Sequence, residues 1–582
     1  MDKEDIEYKT VQDVYNKECA MVGAGIGGGF QNTKELRVMK FKEAMANDDE
    51  EERRGWQEAV DTEHEKMKKF NVFKPVRKED IPKGTKIITS TWAMKKKANG
   101  TKRARINARG FEQEAGVHYD PANIAAPVTN DMSIRIMMTL ALMANWVTWI
   151  TDVKGAFLHG EFEEGDEPVY MEVPEGFEKH YEEPKTFGMN KDDINIVLLL
   201  LKTIYGLKNA AKAFWNELLK AMKYMEFDKS NADPCLYWKW TEQGNLVTWL
   251  SWIDDCACFG RPEDVKREVE TLKELFDCDD VGTMYEYVGC KIDRSEDTNG
   301  IGEFKFTQPV MLQSFEDEFD LSDGTANDTP GEPGKTLPVA TEEEMVEPGK
   351  LTYYRSGVGK LLHMMRWSRP EIYNSVRDLS RHMKGCAVVH IRAMHRVMRY
   401  CLKYPNRGWT LRPESKWNGK DQNFEFRITG KSDSDYANCP TTRRSVTGYS
   451  VFLEGAPIQV KSMMQRIVAL SVTEAEINAG VTCAQEMIYA KRIIESIGLK
   501  VKLPMILEID NKGAVDHSNN FTVGGRTKHM ETKQLFLREL KEEGVLKIQW
   551  LGGDKNDADL FTKNLPAASY HKHAEVYCGK GD

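Results

Sequence analysis

At 582 residues the chain is long enough for several domains of ordinary size. A hydrophobic fraction of 41%, with 13 Trp and 20 Tyr, excludes a largely disordered chain. The formal net charge of −10 gives no bulk basis for holding nucleic acid, so any such surface has to be local.

The 11 cysteines are scattered with no C-x-x-C pair, which predicts a reducing compartment with neither a disulfide framework nor a zinc site. The N-terminus lacks the basic and apolar regions of a signal peptide. The longest apolar run, Ile136 to Ile150, is interrupted by Thr and Asn and falls short of a membrane span. It predicts a buried helix running into a strand, and the chain reads as a soluble intracellular protein.

Residues 1–50 are polar and read as a flexible segment, apart from M-V-G-A-G-I-G-G-G-F at 21–30. Gly23, Gly25 and Gly28 satisfy the dinucleotide fingerprint, but neither the strand before it nor the helix after it is predicted, so a linker is the better reading. From Phe41 to Phe70 the spacing of Trp56, Val60 and Met67 predicts a charged amphipathic helix, with strands following at Val72–Pro75 and Ile87–Met94. Lys95, Lys96, Lys97, Lys102, Arg103, Arg105 and Arg109 then form a basic run without an acid, divided by Asn99-Gly100, the two-residue hairpin signal. It is either a solvated face or a clamp for triphosphate or nucleic acid.

A strand ending near Asp152 leads through a glycine turn to Phe157. A strand at Ile194–Leu201 precedes Tyr205–Trp215, which starts as a loop and becomes a helix with Ala211, Phe214 and Leu218 on one side. In Thr248–Gly260, T-W-L-S-W-I-D-D-C-A-C-F-G, the adjacent Asp254 and Asp255 lie between two apolar runs of strand length, a pattern that predicts a hairpin with two carboxylates at its tip. Asp is an ordinary turn residue, so a plain turn is one reading. The other is a cation site: neighbouring carboxylates on an apolar ribbon repel, burial raises the cost of ionising them, and hard divalent cations such as Mg²⁺ and Mn²⁺ relieve both. Asp152 would complete three ligands if the strands meet.

D-V-K-G-A-F-L-H-G, Y-G-L-K-N-A-A-K-A-F-W, W-I-D-D, Y-V-G-C-K-I and the terminal D-L-F-T-K-N-L-P are similar, in order and spacing, to the reverse transcriptase of copia-type LTR retrotransposons. The resemblance runs from about residue 40 to about residue 570. It implies an α+β molecule: a right-hand polymerase (fingers and palm over 51–310, a helical thumb or connection over 311–425), an α/β ribonuclease H-like domain over 426–570, and a tail over 571–582. It implies catalytic and metal-binding roles for Asp152, Asp254 and Asp255, with two Mg²⁺ (or Mn²⁺) activating the primer 3′-hydroxyl and stabilising the leaving pyrophosphate. Nucleotide contacts would come from Arg103, Arg105 and Arg109, with Phe157 excluding a ribose 2′-hydroxyl and Asn209 and Trp252 beside them. The family usually has Gln-Ala-Pro where this chain has Asn209-Ala210-Ala211, and Tyr where it has Trp252.

Between 311 and 425, Gly331–Glu347 reads as a loop, and Arg377, Arg381, Arg392, Arg396 and Arg399 fall at helical spacings with His382, His390 and His395. A basic face along a duplex is expected there. Beyond Arg427 come predicted strands, a third of them at Ile467–Ser471, a helix from Thr473 and a strand ending at Asp510. The resemblance supplies Asp433, Glu476, Asp510 and Asp559 as a second two-metal set. Asp435, Glu474, Glu508 and Asp557 lie two residues away as competitors, and Arg526-Thr-Lys-His529 is either a hybrid contact or a surface loop.

The expected partners are RNA template, DNA primer, RNA–DNA hybrid and deoxynucleoside triphosphates, with no membrane and with other Pol products such as integrase. The expected location is cytoplasmic, in a virus-like particle, or nuclear, and not secreted. No zinc knuckle or protease motif is seen, which reads as a truncated or processed piece. The alternatives are a decayed or domesticated nucleic-acid-binding relic, or a chain in which only the ribonuclease H is active.

Overall fold

The computed structural model describes residues 39–96, 100–163, 165–181, 196–296, 300, 302–321, 326–519 and 531–580. The 21–30 glycine segment, Asn99 and Arg526–His529 lie outside them.

Helix α1 (Glu50–Lys69) begins where the Asp49 carboxylate accepts the backbone N–H groups of Glu51 and Glu52, and Lys66, Lys68 and Lys69 close its last turn. Both ends therefore complement the helix dipole. Of its buried stripe, Trp56, Val60, Glu63, His64 and Met67, the apolar members share a core with Trp92, Met94, Ala104 and Ile106. Strands β1 (Ser90–Lys96) and β2 (Lys102–Ala108) form the basic ribbon, with Lys95 opposite Arg103 and Lys96 opposite Lys102. Glu52 of α1 pairs with Lys96 at 3.2 Å and Lys102 at 3.4 Å, fastening helix to ribbon. The expected Ile87–Met94 strand is broken at Thr89, whose N–H and Oγ1 both donate to the Glu112 carboxylate, at 2.6 and 2.8 Å. Ile87–Ile88 consequently joins a separate sheet with Tyr170–Glu172, Ile196–Leu200 and Phe73–Arg77.

Helix α2 (Asp131–Met143) is buried at every position after Asp131 and runs into β3 (Val147–Val153), as the apolar run predicts. After α3 (Ala210–Tyr224), strands β4 (Leu236–Trp240), β5 (Leu246–Trp252) and β6 (Asp255–Gly260), helix α4 (Pro262–Leu275) and strand β7 (Cys278–Thr283) complete the centre. The six-stranded sheet is ordered β7-β3-β6-β5-β4, with the short strand Asp228–Lys229 at its edge. Phe214 and Leu218 of α3 and Val265, Val269 and Leu272 of α4 cover one face, packed on Trp249, Cys256 and Cys258. Those two cysteines are packing thiols, and every cysteine among the described residues is free.

Helices α5 (Pro348–Trp367) and α6 (Val388–Lys403) dominate the connecting region. Three of the five arginines expected on a basic face are engaged inside the protein, while Arg392 is exposed. Arg377 is buried and donates to Ser462 and Asn374, Arg381 pairs with Asp378 at 2.9 Å, and Arg396 donates to Thr329. Helical spacing was legible, but Arg377, Arg381 and Arg396 lie between packed elements, where burial requires partners. His382 and His390 stack at 3.9 Å, and His395 meets the Tyr353 hydroxyl.

The C-terminal unit has β8 (Ile428–Asp435), β9 (Val446–Leu453), β10 (Ala456–Met464), helix α7 (Val472–Ser496), β11 (Met505–Ile509) and β12 (Leu546–Trp550). Its sheet is ordered β10-β9-β8-β11-β12, antiparallel over the first three strands and parallel from β8 to β12. The third strand is thus Ala456–Met464, not Ile467–Ser471. The latter has β-branched residues but no ladder partner; Ile467, Val468 and Leu470 are exposed, and Ser471 caps α7 by accepting the Glu474 N–H.

One apolar core continues from α2 through α5 and α6 into the C-terminal sheet. The Arg135 guanidinium is buried inside it, 3.6 Å from the centre of the Trp409 ring, and donates to the carbonyls of Arg366 and Ile458. Among the described residues no helix is long and apolar enough to cross a membrane.

Candidate active sites

The turn between β5 and β6 is two residues long, with Trp252 paired to Asp255. Ile253 takes a left-handed φ of 57°, a strained conformation for a β-branched residue and one that makes the tip tight. Asp254 is at the tip and Asp255 is the first residue of β6. Asp152 is the register partner of Asp255 on one side and of Asp279 on the other. The Asp254 carbonyl accepts the Val153 N–H at 3.0 Å, locking the hairpin beside the end of β3. Three carboxylates from two chain segments, the end of β3 and the hairpin tip, are therefore neighbours at one end of the central strands.

Burial raises the pKa of all three. Asp255 is pushed to about 7 by burial and by the charges of Asp254 and Asp152. Asp152 is raised by burial, then by Asp254 and Asp279, and Asp254 by burial. Neighbouring Asp279 is already engaged, by Lys154 at 2.6 Å.

Of the three expected nucleotide-contacting arginines, only Arg105 bears on this cluster: its charge lowers the pKa of Asp152 and of Asp254. Its guanidinium lies 4.6 Å from the centre of the Tyr205 ring, and that ring meets Phe157 edge-on at 5.2 Å. Arg103 sits two residues along the same strand and so on the same face. Arg109 lies beyond the strand end and turns to Thr89 Oγ1, at 3.1 Å, and towards Glu112. Asn209 begins α3 without capping it, and its buried Oδ1 has no partner among the described residues. The Trp252 ring packs edge-on against Trp367 of α5 at 5.8 Å, tying the hairpin to the connecting helices. Sequence reasoning missed Lys66 and Tyr205. Tyr205 stands in the motif that carries the resemblance, whereas Lys66 looks like any dipole-complementing lysine at a helix end.

In the C-terminal unit β8 supplies Asp433, the first turns of α7 supply Glu476, and the end of β11 supplies Asp510. One carboxylate oxygen from each lies within 4.8 Å of the others. Asp559 joins through Lys563, whose ammonium is 2.7 Å from Asp559 and 3.2 Å from Asp433. Thr562 Oγ1 also donates to Asp433. Burial and mutual repulsion raise Asp433 to about 6 and Glu476 to about 9, and Asp510 rises for the same reasons. Glu476 Oε1 accepts from Ser434 N–H and Oγ, while Oε2 is buried with no partner among the described residues. Of the competitors, Asp557 is held by Lys431 at 2.5 Å and by His573, and Asp435 by Asn438 at 2.6 Å. Glu474 accepts the Leu470 N–H at 2.7 Å, as part of the entry to α7.

Both clusters offer only oxygen donors, and repulsion among them is relieved by a hard divalent cation. The partnerless Glu476 Oε2 fits such a ligand.

Residues 71–333 match the family described as reverse transcriptase (RNA-dependent DNA polymerase). The chain is similar to the retrovirus-related Pol polyprotein from transposon TNT 1-94 of Nicotiana tabacum, at 30% identity over 89% of this chain and 37% of that one. It is also similar to the Pol polyprotein from transposon RE1 of Arabidopsis thaliana, at 26% identity over 85% of this chain and 32% of that one. The chain thus spans about a third of the length of these curated relatives. Among solved structures, a foamy viral protease-reverse transcriptase in complex with RNA/DNA hybrid aligns with a TM-score of 0.42 and 12% identity, over 88% of this chain and 55% of that one.

Proposed function

We propose, from the match of residues 71–333 to the reverse transcriptase family and the similarity of most of the chain to transposon Pol polyproteins, that it is an RNA-directed DNA polymerase fused to a ribonuclease H. The observation that carries this reading is the cross-strand pairing of Asp152 with Asp255 beneath the Asp254 tip, inside the matched region. In this reading Asp152, Asp254 and Asp255 hold Mg²⁺ or Mn²⁺ in the first site, and Asp433, Glu476, Asp510 and Asp559 in the second. Two such cations per site, when bound, supply a lowered pKa at the attacking hydroxyl or water and neutralise charge on the leaving oxygen.

The chain's own groups supply positioning. Arg105 and Arg103 face a triphosphate laid over the aspartates, and Phe157, backed by Tyr205, limits the space beside the incoming sugar. Arg109 is set too far along the chain for the same contact. In the second site Ser434 orients Glu476 and Thr562 orients Asp433. The partners are RNA template, DNA primer, their hybrid and deoxynucleoside triphosphates, together with other Pol products such as integrase. The setting is a cytoplasmic particle or the nucleus.

The test is Mg²⁺-dependent extension of a DNA primer on an RNA template, run beside cleavage of an RNA–DNA hybrid. Asp254→Asn is expected to abolish extension and spare cleavage, and Glu476→Gln to do the reverse. A parent protein that cleaves hybrid but extends nothing would overturn the polymerase reading. Loss of both activities with retained nucleic-acid binding would favour a relic.

A further inference from the structure

Four cations stand around the turn that follows β3: Lys66 and Lys69 from the end of α1, Lys154 from the turn and Arg105 from the ribbon. Two are committed. Lys69 pairs with Asp277 at 2.6 Å, and Lys154 with Asp279 at 2.6 Å and Asp277 at 3.5 Å. The side chains of Arg105, which packs over the Tyr205 ring, and Lys66 make no hydrogen bond or ion pair within 4 Å among the described residues.

Lys66 is half-buried against the Gly155 turn, three residues after Asp152. A Cβ built on Gly155 would lie 3.0 Å from Lys66 Cε and 3.1 Å from Nζ. Gly155 has a φ of 64°, so the turn and the closeness of the lysine both depend on its lack of a side chain. Burial, the largest influence, holds the ammonium pKa down; Glu63, Asp152 and Asp277 oppose it and Arg105 adds to it. Glu63, one helical turn back, is buried and its Oε1 accepts the Ile106 N–H at 3.3 Å, joining α1 to β2 one residue after Arg105.

A half-buried cation without an acid partner costs free energy unless an anion arrives. Both cations bear on Asp152 and Asp254, one from α1 and one from β2, so an anion laid over those aspartates would meet both.

We propose that Lys66 is a second triphosphate-binding cation of the polymerase site, contributed by α1 from outside the matched region 71–333 and working with Arg105 on the phosphates of the incoming nucleotide. Glu63 is a positioning residue that sets the α1–β2 spacing. The inference rests on the polymerase reading and names a residue that the family match does not cover. It also gives α1 a task beyond packing, since its last turn reaches the reaction centre while its first turn braces the ribbon through Glu52.

The experiment is single-nucleotide extension of a DNA primer on an RNA template by the full chain, comparing the parent with Lys66→Met, Lys66→Arg and Lys69→Met. Lys66→Met is expected to raise the KM for deoxynucleotide by about 10- to 100-fold, as for a lost charged contact. Its kcat, affinity for primer–template and hybrid cleavage should stay near those of the parent. Lys66→Arg should recover most of the KM, and Lys69→Met, whose ammonium is already engaged by Asp277, should leave it unchanged. An unchanged KM in Lys66→Met would overturn the assignment while leaving the polymerase intact. A parallel fall in nucleotide, template and cleavage parameters would overturn it in favour of a packing role. If the parent extends no primer, the polymerase reading itself fails and takes this inference with it.

Discussion

Asp152 of β3 and Asp255 of β6 stand directly opposite one another, a like-charge pair in adjacent antiparallel strands. Like charges in that relation are destabilising. The folded state holds a proton on Asp255 up to about pH 7, whereas the ordinary value is 3.8. Between those values the folded chain binds more protons than the unfolded one, so this contribution to stability falls as pH rises through that window. Asp255→Asn should therefore stabilise the metal-free protein by on the order of 1–2 kcal/mol at pH 8 and much less at pH 5. Thermal melts of parent and variant across that range check it; a difference that does not grow with pH would refute the repulsion. Saturating Mg²⁺ should narrow the gap at pH 8, because a ligand bound only by the folded state stabilises it.

Glu476 gives a second readout. Its carboxyl is pushed up to about 9 by burial, Asp433 and Asp510, so at pH 7.5 it is protonated in the metal-free protein. Metal binding requires the carboxylate, and Mg²⁺ should displace about one proton per chain at that pH. Calorimetry in buffers of different ionisation enthalpy measures the release, and Glu476→Gln should remove most of it, leaving the smaller share from Asp255. Hybrid cleavage by Glu476→Gln should fall by at least about 10²-fold, with extension unaffected.

Phe157 lies with Tyr205 and Arg105 in one continuous contact. If the incoming sugar lies beside Phe157 as proposed, replacing the ring by Val would open space there while leaving the Arg105–Tyr205 contact in place. Phe157→Val is expected to raise the relative efficiency for ribonucleotides over deoxynucleotides by about 10- to 100-fold, the range a shape-based rejection commonly reaches. The ratio of the two kcat/KM values decides it.

The central hairpin was readable from sequence because its signal is local: two apolar runs of strand length around Asp254-Asp255, with the tip where that pattern puts it. The helix-to-strand passage from Ile136 to Ile150 was legible for the same reason. What stayed hidden depends on distant partners. Nothing near Thr89 announces that Glu112 will break its strand, and nothing near Ile467 shows that its apolar neighbours lack a ladder. Arg377 and Arg396 carry a helical period identical to that of an exposed basic face; only the elements that cover them distinguish the two cases. At the second site, spacing alone could not separate Asp557 from Asp559. Lys431 and His573 claim the first and Lys563 bridges from the second to Asp433.

Trp252 makes an edge-on contact with Trp367 that ties the hairpin to α5. An aromatic pair of this kind contributes about 0.5–1.5 kcal/mol beyond area burial. Trp252→Ala should lower the melting temperature and depress extension by loosening the hairpin. Trp252→Tyr, which keeps a ring, should lose less on both counts. Chemical denaturation with extension assays separates the outcomes, and a Trp252→Ala protein as stable as the parent would remove the contact's significance.

The buried Arg135 is anchored at once to α2, to the Arg366 carbonyl in α5 and to the Ile458 carbonyl in β10. If the polymerase and ribonuclease H reading holds, a guanidinium tying these elements together within one core would help keep the β5–β6 tip and the cluster around Asp433 at a set spacing. A duplex lying across both would be cut at a constant interval behind the growing end. RNA fragments left during synthesis would then share one length, and loosening Arg135 would blur that length before it slowed either reaction.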